Sequence, residues 1–289
     1  MPYQSVFRPG LFAGQTLIVT GGGTGIGRAI AHELASLGAR PVLAGRRKEP
    51  LEWVQAELQA EGHAATIHPL DIRDEAAVQS FYERVLEERG ELHGLVNNAG
   101  GQYLSPAESI SHKGWQAVLD TNLTGTFLMC REAFKAGLGA RGGAIVNVVS
   151  EMWRGFPGMA HSGAARAAVV NLTQTLAVEW ARVGIRVNAV APGTIDSSGL
   201  ANYGEMGQAI LQEVKKDIPM QRLGTEAEVA AAVTFLLSPA AAYVSGETFR
   251  VDGASSLWRK TWSIEPHQRF PLFEGFSGGT PAHEAGGGA

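Results

Sequence analysis

Short apolar runs of strand length alternate along this chain with longer stretches whose apolar residues recur at three- and four-residue spacing. The runs at 17–19, 41–44, 65–68, 94–96, 144–147, 186–190 and 248–251 read as seven strands, and the stretches at 29–37, 51–60, 76–87, 115–135, 164–182 and 226–237 read as helices between them. Strands joined by crossover helices make a parallel sheet, so the expected class is α/β, a single doubly wound domain with a seven-stranded parallel sheet flanked by helices. Ligands of such sheets gather at the carboxyl ends of the strands. The expected domain spans 1–276, and the glycine-rich stretch 277–289 is too polar to pack and reads as a flexible tail.

Composition narrows the function classes. A chain of 289 residues, 45% hydrophobic and 18% charged, supports one large core, and a formal charge of -4 with interspersed signs argues against nucleic-acid binding. No apolar run approaches about 18 residues, which argues against a membrane span. Cys130 is the only cysteine, so no internal disulfide can form, and the histidines show no metal-ligand spacing, so no metal is expected. A reducing compartment suits the lone thiol. The chain ends Gly287-Gly288-Ala289, without a peroxisomal address, and the expected location is the cytoplasm.

Directly after the first strand comes Thr20-Gly21-Gly22-Gly23-Thr24-Gly25-Ile26-Gly27. Glycines there allow a tight turn and close backbone approach, while the following helix start offers free N–H groups to a pyrophosphate. About twenty residues further, where an acidic side chain would grip the ribose of NAD, stand Arg46 and Arg47. Two guanidiniums suit a 2'-phosphate, against the plainer reading of a solvated helix start, so NADPH (NADP+) is the expected cofactor.

Four strings in order, 20–27, Asn97-Asn98-Ala99-Gly100, Thr121-Asn122-Leu123-Thr124-Gly125 and Asn188-Ala189-Val190-Ala191-Pro192-Gly193, resemble the short-chain dehydrogenase/reductase family over 12–256. The resemblance implies a Rossmann-like fold. It also implies cofactor contacts from Gly21, Thr24, Gly25, Ile26 and Gly27, from Asp71 and Ile72 beside the adenine, and from Asn98, Ala99 and Gly100 along the groove. Pro192, Gly193, Ile195 and Ser197 would hold the nicotinamide amide. Asn122 would be the family's helix-kinking asparagine, unless it merely bonds the preceding turn. A homotetramer is implied as well. Within the family the chain is most similar to the peroxisomal trans-2-enoyl-CoA reductases, through Gly100-Gly101-Gln102-Tyr103-Leu104-Ser105-Pro106-Ala107-Glu108, His161-Ser162-Gly163-Ala164-Ala165-Arg166 and Asn202-Tyr203-Gly204.

The family's serine falls on Ser150, at the end of the fifth strand, but Ser162 and Arg166 stand where its Tyr-x-x-x-Lys dyad is expected. One turn later the same positions hold Val170 and Gln174, and the loop after the fifth strand offers Glu151, Met152 and Trp153, so no alternative frame supplies the tyrosine. Arg166 can donate to ribose hydroxyls but does not titrate near neutral pH. Ketone reduction needs an acid for its alkoxide. Hydride addition to an enoyl thioester instead yields a delocalised enolate, which hydrogen-bond donors can stabilise. The expected activity is therefore NADPH-dependent reduction of the double bond of trans-2-enoyl-CoA or a related acyl-CoA thioester, with Ser150, Ser162, His161 or Tyr203 as donor. Two alternatives stay open: a reductase of 2,4-dienoyl-CoA or 3-oxoacyl substrates, and a catalytically silent cofactor-binding protein. Trp258-Arg259-Lys260-Thr261-Trp262 could meet the CoA adenine and phosphate, or cover a neighbouring subunit.

Overall fold

The computed structural model describes residues 2–197, 213–259 and 261–276. Seven strands form one parallel sheet: β1 Thr16–Thr20, β2 Arg40–Gly45, β3 Thr66–Pro69, β4 Gly94–Asn97, β5 Gly143–Val148, β6 Ile185–Pro192 and β9 Thr248–Val251, in the order β3-β2-β1-β4-β5-β6-β9. A separate two-stranded pair, β7 Ile195–Asp196 and β8 Gly224–Thr225, lies beyond β6. The strand order runs outward from β1 to β3 on one side and from β4 to β9 on the other. Its reversal between β1 and β4 opens the crevice where a doubly wound sheet takes its ligand.

Alternation along the strands divides the core into two layers. Leu17, Val19, Leu43, Val96 and Val146 pack against helices α1 Gly25–Ser36, α2 Lys48–Ala60 and α8 Glu226–Leu237. Ile18, Val42, Leu95 and Ile145 face the other way, onto α3 Glu75–Arg89, α5 Gly125–Ala133 and α7 Ala160–Glu179. Both faces of each central strand are therefore buried, which is why these segments are continuous apolar runs rather than alternating ones.

The stretch expected as one helix at 115–135 is helical throughout, but it runs on from His112 to Arg141, departs from helical dihedrals at Gly137 and carries two π-helical turns. Its parts are α4 His112–Leu119, a π-helical turn Asp120–Thr124, α5, a second π turn Phe134–Leu138 and the short α6 Gly139–Arg141. One extra residue per turn rotates the helix downstream of it, and the first of these turns carries Asn122. Among the described residues no helix is long and apolar enough to cross a membrane, and no cluster of His, Cys, Asp and Glu could hold a metal ion. Residues 277–289 and Tyr203 lie outside the described residues.

Candidate active site

A cleft of about 270 Å³ opens at the carboxyl ends of β1, β2 and β4, with Gly21, Gly23 and Thr24 on its floor. Close packing explains the glycines behind it. A Cβ on Gly27 would lie 2.0 Å from the carbonyl oxygen of Gly21, so the first turn of α1 can sit on the β1 turn only without a side chain there. Thr24 begins α1 without a side-chain cap, which leaves the helix N-terminus available to an anion. Asn98 braces the floor from below: its Nδ2 donates to the carbonyls of Thr20 and Gly21 at 3.1 and 3.2 Å, while Thr20 Oγ1 accepts the N–H groups of Asn98 and Ala99, both at 3.0 Å. Gly25, Ile26 and Gly27 stand behind the lining rather than in it.

The far wall is cationic. Arg46, Arg47 and Arg73 line the cleft together with Asp71 and Ile72. Asp71 is paired with Arg73, whose Nη2 lies 2.6 Å from its Oδ2, and that contact holds the carboxyl below its ordinary range. Arg73 was missed by reading the sequence, although its place two residues after Asp71 was the available signal. Three guanidiniums around one carboxylate leave a net positive wall, and a glycine floor at a helix start faces it. The residues present thus fit a dinucleotide with an additional phosphate on its adenosine half.

Asn98, Ala99 and Gly100 carry the cleft wall on toward α7. Asn122 reaches across from its π turn rather than bonding the preceding helical turn. Its Oδ1 accepts the N–H of Gly101 at 3.0 Å and its Nδ2 donates to the Gly101 carbonyl at 2.7 Å. Gly100 passes so close that an added Cβ would meet Asn122 Oδ1 at 2.7 Å and Arg166 Nη2 at 3.0 Å. From α7, Arg166 donates to the Val148 carbonyl at 3.1 Å and to Ser162 Oγ at 3.4 Å, and Ser162 Oγ donates to Gln102 Oε1 at 2.8 Å. Burial lowers the Arg166 guanidinium to about 10, so it remains a cation at neutral pH. Sequence reading gave Gln102 no role, because its partner lies far along the chain.

Ser150 Oγ, just past β5, is buried without a hydrogen-bond partner among the described residues. His161 is fully buried; its Nδ1 accepts the Ser162 N–H at 2.8 Å, which places the ring proton on Nε2, itself unpartnered among the described residues. Its ring meets that of Tyr103 edge-on at 4.5 Å. Pro192 is the last residue of β6, and Gly193, Ile195 and Ser197 follow it, with Ile195 joined to Gly224 in the small β7–β8 pair. Val170 packs partly into the cluster of Val149, Val169 and Ala191, while Gln174 is exposed.

The described tyrosines are otherwise engaged or remote from this network. Tyr3 packs on His32 and Phe276, Tyr82 donates to the Met129 carbonyl, Tyr243 is wholly exposed, and the Tyr103 hydroxyl is turned onto Gly114 in the first turn of α4. On the outer side, Arg154 donates to the Trp258 carbonyl at 2.6 Å and the Arg250 guanidinium sits 4.1 Å from the Trp153 ring centre. The segment around Trp258 is thereby joined to the loop after β5. Lys260 lies outside the described residues.

Residues 21–255 match the family model described as Enoyl-(Acyl carrier protein) reductase. A probable 2,4-dienoyl-CoA reductase of Bacillus subtilis is 37% identical over 247 residues, covering 84% of this chain and 97% of the relative. A peroxisomal 2,4-dienoyl-CoA reductase of Mus musculus is 35% identical over 281 residues, covering 95% and 94%. Among solved structures, a citronellol catabolism dehydrogenase of Pseudomonas aeruginosa superposes with a TM-score of 0.80 at 53% identity, covering 88% of this chain and all of that one. Sheet order, glycine turn and these matches agree, and the chain belongs to the short-chain dehydrogenase/reductase family.

Proposed function

We propose that this protein reduces the carbon–carbon double bond of trans-2-enoyl-CoA or a closely related enoyl thioester, using NADPH. The observation that carries this reading is the chain of donors from Arg166 through Ser162 to Gln102, where a phenol and a titrating lysine would serve a ketone reductase. A serine hydroxyl and a guanidinium that stays charged at neutral pH are poor proton donors to an alkoxide. They are adequate hydrogen-bond donors to the much less basic enolate of a thioester. The names of the two dienoyl-CoA reductases support the substrate class, and a 2,4-dienoyl thioester is the natural neighbouring substrate.

NADPH would supply the hydride. Gly21, Gly23 and Thr24 would hold its pyrophosphate, Arg46 and Arg47 its 2'-phosphate, and Arg166 its nicotinamide ribose, with Pro192 to Ser197 at the carboxamide. Asn122 fixes the Gly101 peptide, and so keeps the floor of the substrate side at a set height above the cleft. Ser150 Oγ and His161 Nε2 are buried donors without partners among the described residues and would be available to the thioester or to a water that protonates the α-carbon. The acyl-CoA is the small-molecule partner. Exposed apolar side chains on α5 and α7, Phe127 and Val178, support burial against a second subunit in a homotetramer, and the buried free thiol of Cys130 suits the cytoplasm.

The test is dihydronicotinamide oxidation with crotonyl-CoA, a medium-chain trans-2-enoyl-CoA, a 2,4-dienoyl-CoA, acetoacetyl-CoA and citronellol run in parallel, the last in the direction of NADP+ reduction. Turnover of the conjugated thioesters with none of the ketone or alcohol is the expected result. Turnover confined to acetoacetyl-CoA or citronellol contradicts the reading.

A further inference from the structure

Past Val148, the last residue of β5, two more bonds tie the chain to β6: the Val149 N–H donates to the Val190 carbonyl at 2.8 Å and the Glu151 N–H to the Pro192 carbonyl at 3.0 Å. Ser150 lies between these two bonds, and its Oγ is buried without a partner among the described residues. From Glu151 onward the loop is held by side chains that meet β9 and the turn after it. The Glu151 carboxylate accepts the Ser255 hydroxyl, the Trp153 ring receives the Arg250 guanidinium, and Arg154 donates to the Trp258 carbonyl. Of these ties only the first joins two half-buried residues, for Trp153 and Arg154 are exposed. The turn that presents Ser255 is built in an uncommon shape. Gly253 and Ala254 both have left-handed backbone, with φ of 59° and 69°, a region that alanine enters far less readily than glycine. The Asp252 carboxylate holds it there: Oδ1 accepts the Ala254 N–H at 2.9 Å and Oδ2 the Ser256 N–H at 3.2 Å, while the Asp252 carbonyl accepts the Ser255 N–H at 3.0 Å. A disfavoured backbone that its surroundings over-determine is a motive to look for a task. What this turn aims is the Ser255 hydroxyl, at Glu151.

We propose that Glu151 and Ser255 are positioning residues: their hydrogen bond reaches across the end of β6 and keeps the Glu151–Pro192 rung closed, which fixes Ser150 Oγ where it donates to the thioester oxygen. This inference rests on the enoyl-thioester reading. β6 lies between β5 and β9 in the sheet, so the tie joins two loops that share no ladder of their own. Negative charge develops on the thioester oxygen as the hydride reaches the β-carbon, and a donor lowers that barrier only when it is already in place. A serine carries its hydroxyl oxygen on a single side-chain torsion, so the oxygen follows the backbone. Opening of the Glu151 rung would let Ser150 drift, and a small misplacement of a donor costs turnover more than binding. The assignment gives Glu151 a task that needs no proton transfer: its carboxylate only accepts.

With crotonyl-CoA, Ser150→Ala is expected to lower kcat by about 100-fold, the range for removal of one donor to a developing oxyanion. Ser255→Ala, which leaves that donor present but loose, lowers it by about tenfold. The double variant separates positioning from general damage. If Ser255 acts through Ser150, then Ser150→Ala with Ser255→Ala is slower than Ser150→Ala alone by no more than about twofold, whereas a merely structural loss multiplies the two factors. The Kd for NADPH, read by fluorescence titration, stays within about twofold in each variant. Glu151→Gln keeps a carbonyl oxygen for the Ser255 hydroxyl and retains most of the turnover that Glu151→Ala loses. Glu151→Ala combined with Ser150→Ala repeats the cycle from the other side of the bond, should Ser255→Ala fold poorly. The inference is overturned if Ser150→Ala or a folded Ser255→Ala turns over like the wild type, if loss of the tie slows Ser150→Ala by as much as it slows the wild type, or if Glu151→Gln is as slow as Glu151→Ala. A wild-type protein that reduces no enoyl thioester overturns the proposed reaction and this inference with it; an active wild type with any of those results overturns the inference alone.

Discussion

Arg46, Arg47 and Arg73 face one carboxylate, Asp71, across the adenosine end of the cleft, and Asp71 is already bonded to Arg73. The remaining positive charge is what an extra phosphate would neutralise. Replacing Arg46 by Asp and Arg47 by Ala is expected to raise the KM for NADPH about 10- to 100-fold, the worth of one or two charge-assisted bonds, while NADH is spared or improved. Parallel kinetics with the two cofactors check it, and an unchanged preference contradicts the assignment. Arg46 and Arg47 were legible as cleft residues because they directly follow β2, which pairs with β1 beside the glycine turn. Gln102 was not legible, since its meaning lies in a hydrogen bond to Ser162 that only the folding of α7 onto the β4 loop creates. His161 was visible as a candidate, but its unpartnered Nε2 and its contact with Tyr103 are products of packing.

At the scale of elements, all seven strands of the large sheet fall where the apolar runs placed them, because a strand buried on both faces has no other way to be written. The region 115–135 is helical as its pattern predicts, but its π turns were not legible, for a π turn inserts one residue without disturbing composition. The small β7–β8 pair escaped notice for a different reason: each strand has two residues, too few for any periodicity. α8 shows how local signals and long-range contacts share one side chain. Thr225 Oγ1 accepts the Glu228 N–H and the Glu228 carboxylate accepts the Thr225 N–H, a reciprocal cap, while the Thr225 hydroxyl also donates to the carbonyl of Phe273. Thr225→Ala removes both the cap and the tie to the C-terminal segment. A loss of about 1 kcal/mol or somewhat more in urea unfolding is expected. Amide exchange should also quicken near Phe273. A variant as stable as the wild type would show that the cap carries no weight.

Across the whole molecule, the N- and C-terminal segments close together over α1. The Gln4 N–H donates to the Gly275 carbonyl, Phe276 stacks edge-on against Tyr3 and His32, and the Arg28 guanidinium lies 4.1 Å from the Phe276 ring centre. Beneath them, Glu33 is fully buried, and its Oε1 accepts a hydrogen bond from the Ser5 hydroxyl. Burial raises the Glu33 carboxyl above its ordinary range, against the lowering effect of Ser5. The folded state therefore holds that proton more tightly than the unfolded chain, so the Glu33 contribution is fully present below the unfolded value and is lost as pH rises through the folded one. Glu57 runs the other way. Burial opposes its charge, but hydrogen bonds from His32 and Arg28 prevail and bring it to about 2, so its contribution is present above the unfolded value and is lost as pH falls toward about 2. Glu33→Gln is expected to raise the urea midpoint near neutral pH and to leave it unchanged near about pH 4, where the native carboxyl is already protonated. Equal effects at both pH values would contradict this sign.

The account as a whole turns on where the hydride lands. NADPH carrying deuterium at the transferred position of C4 should place the label on the β-carbon of a saturated acyl-CoA when crotonyl-CoA is reduced, as read by mass spectrometry and proton NMR of the product. Label on the carbinol carbon of a hydroxyacyl-CoA made from acetoacetyl-CoA, with none entering crotonyl-CoA, would mean that the site performs carbonyl chemistry after all.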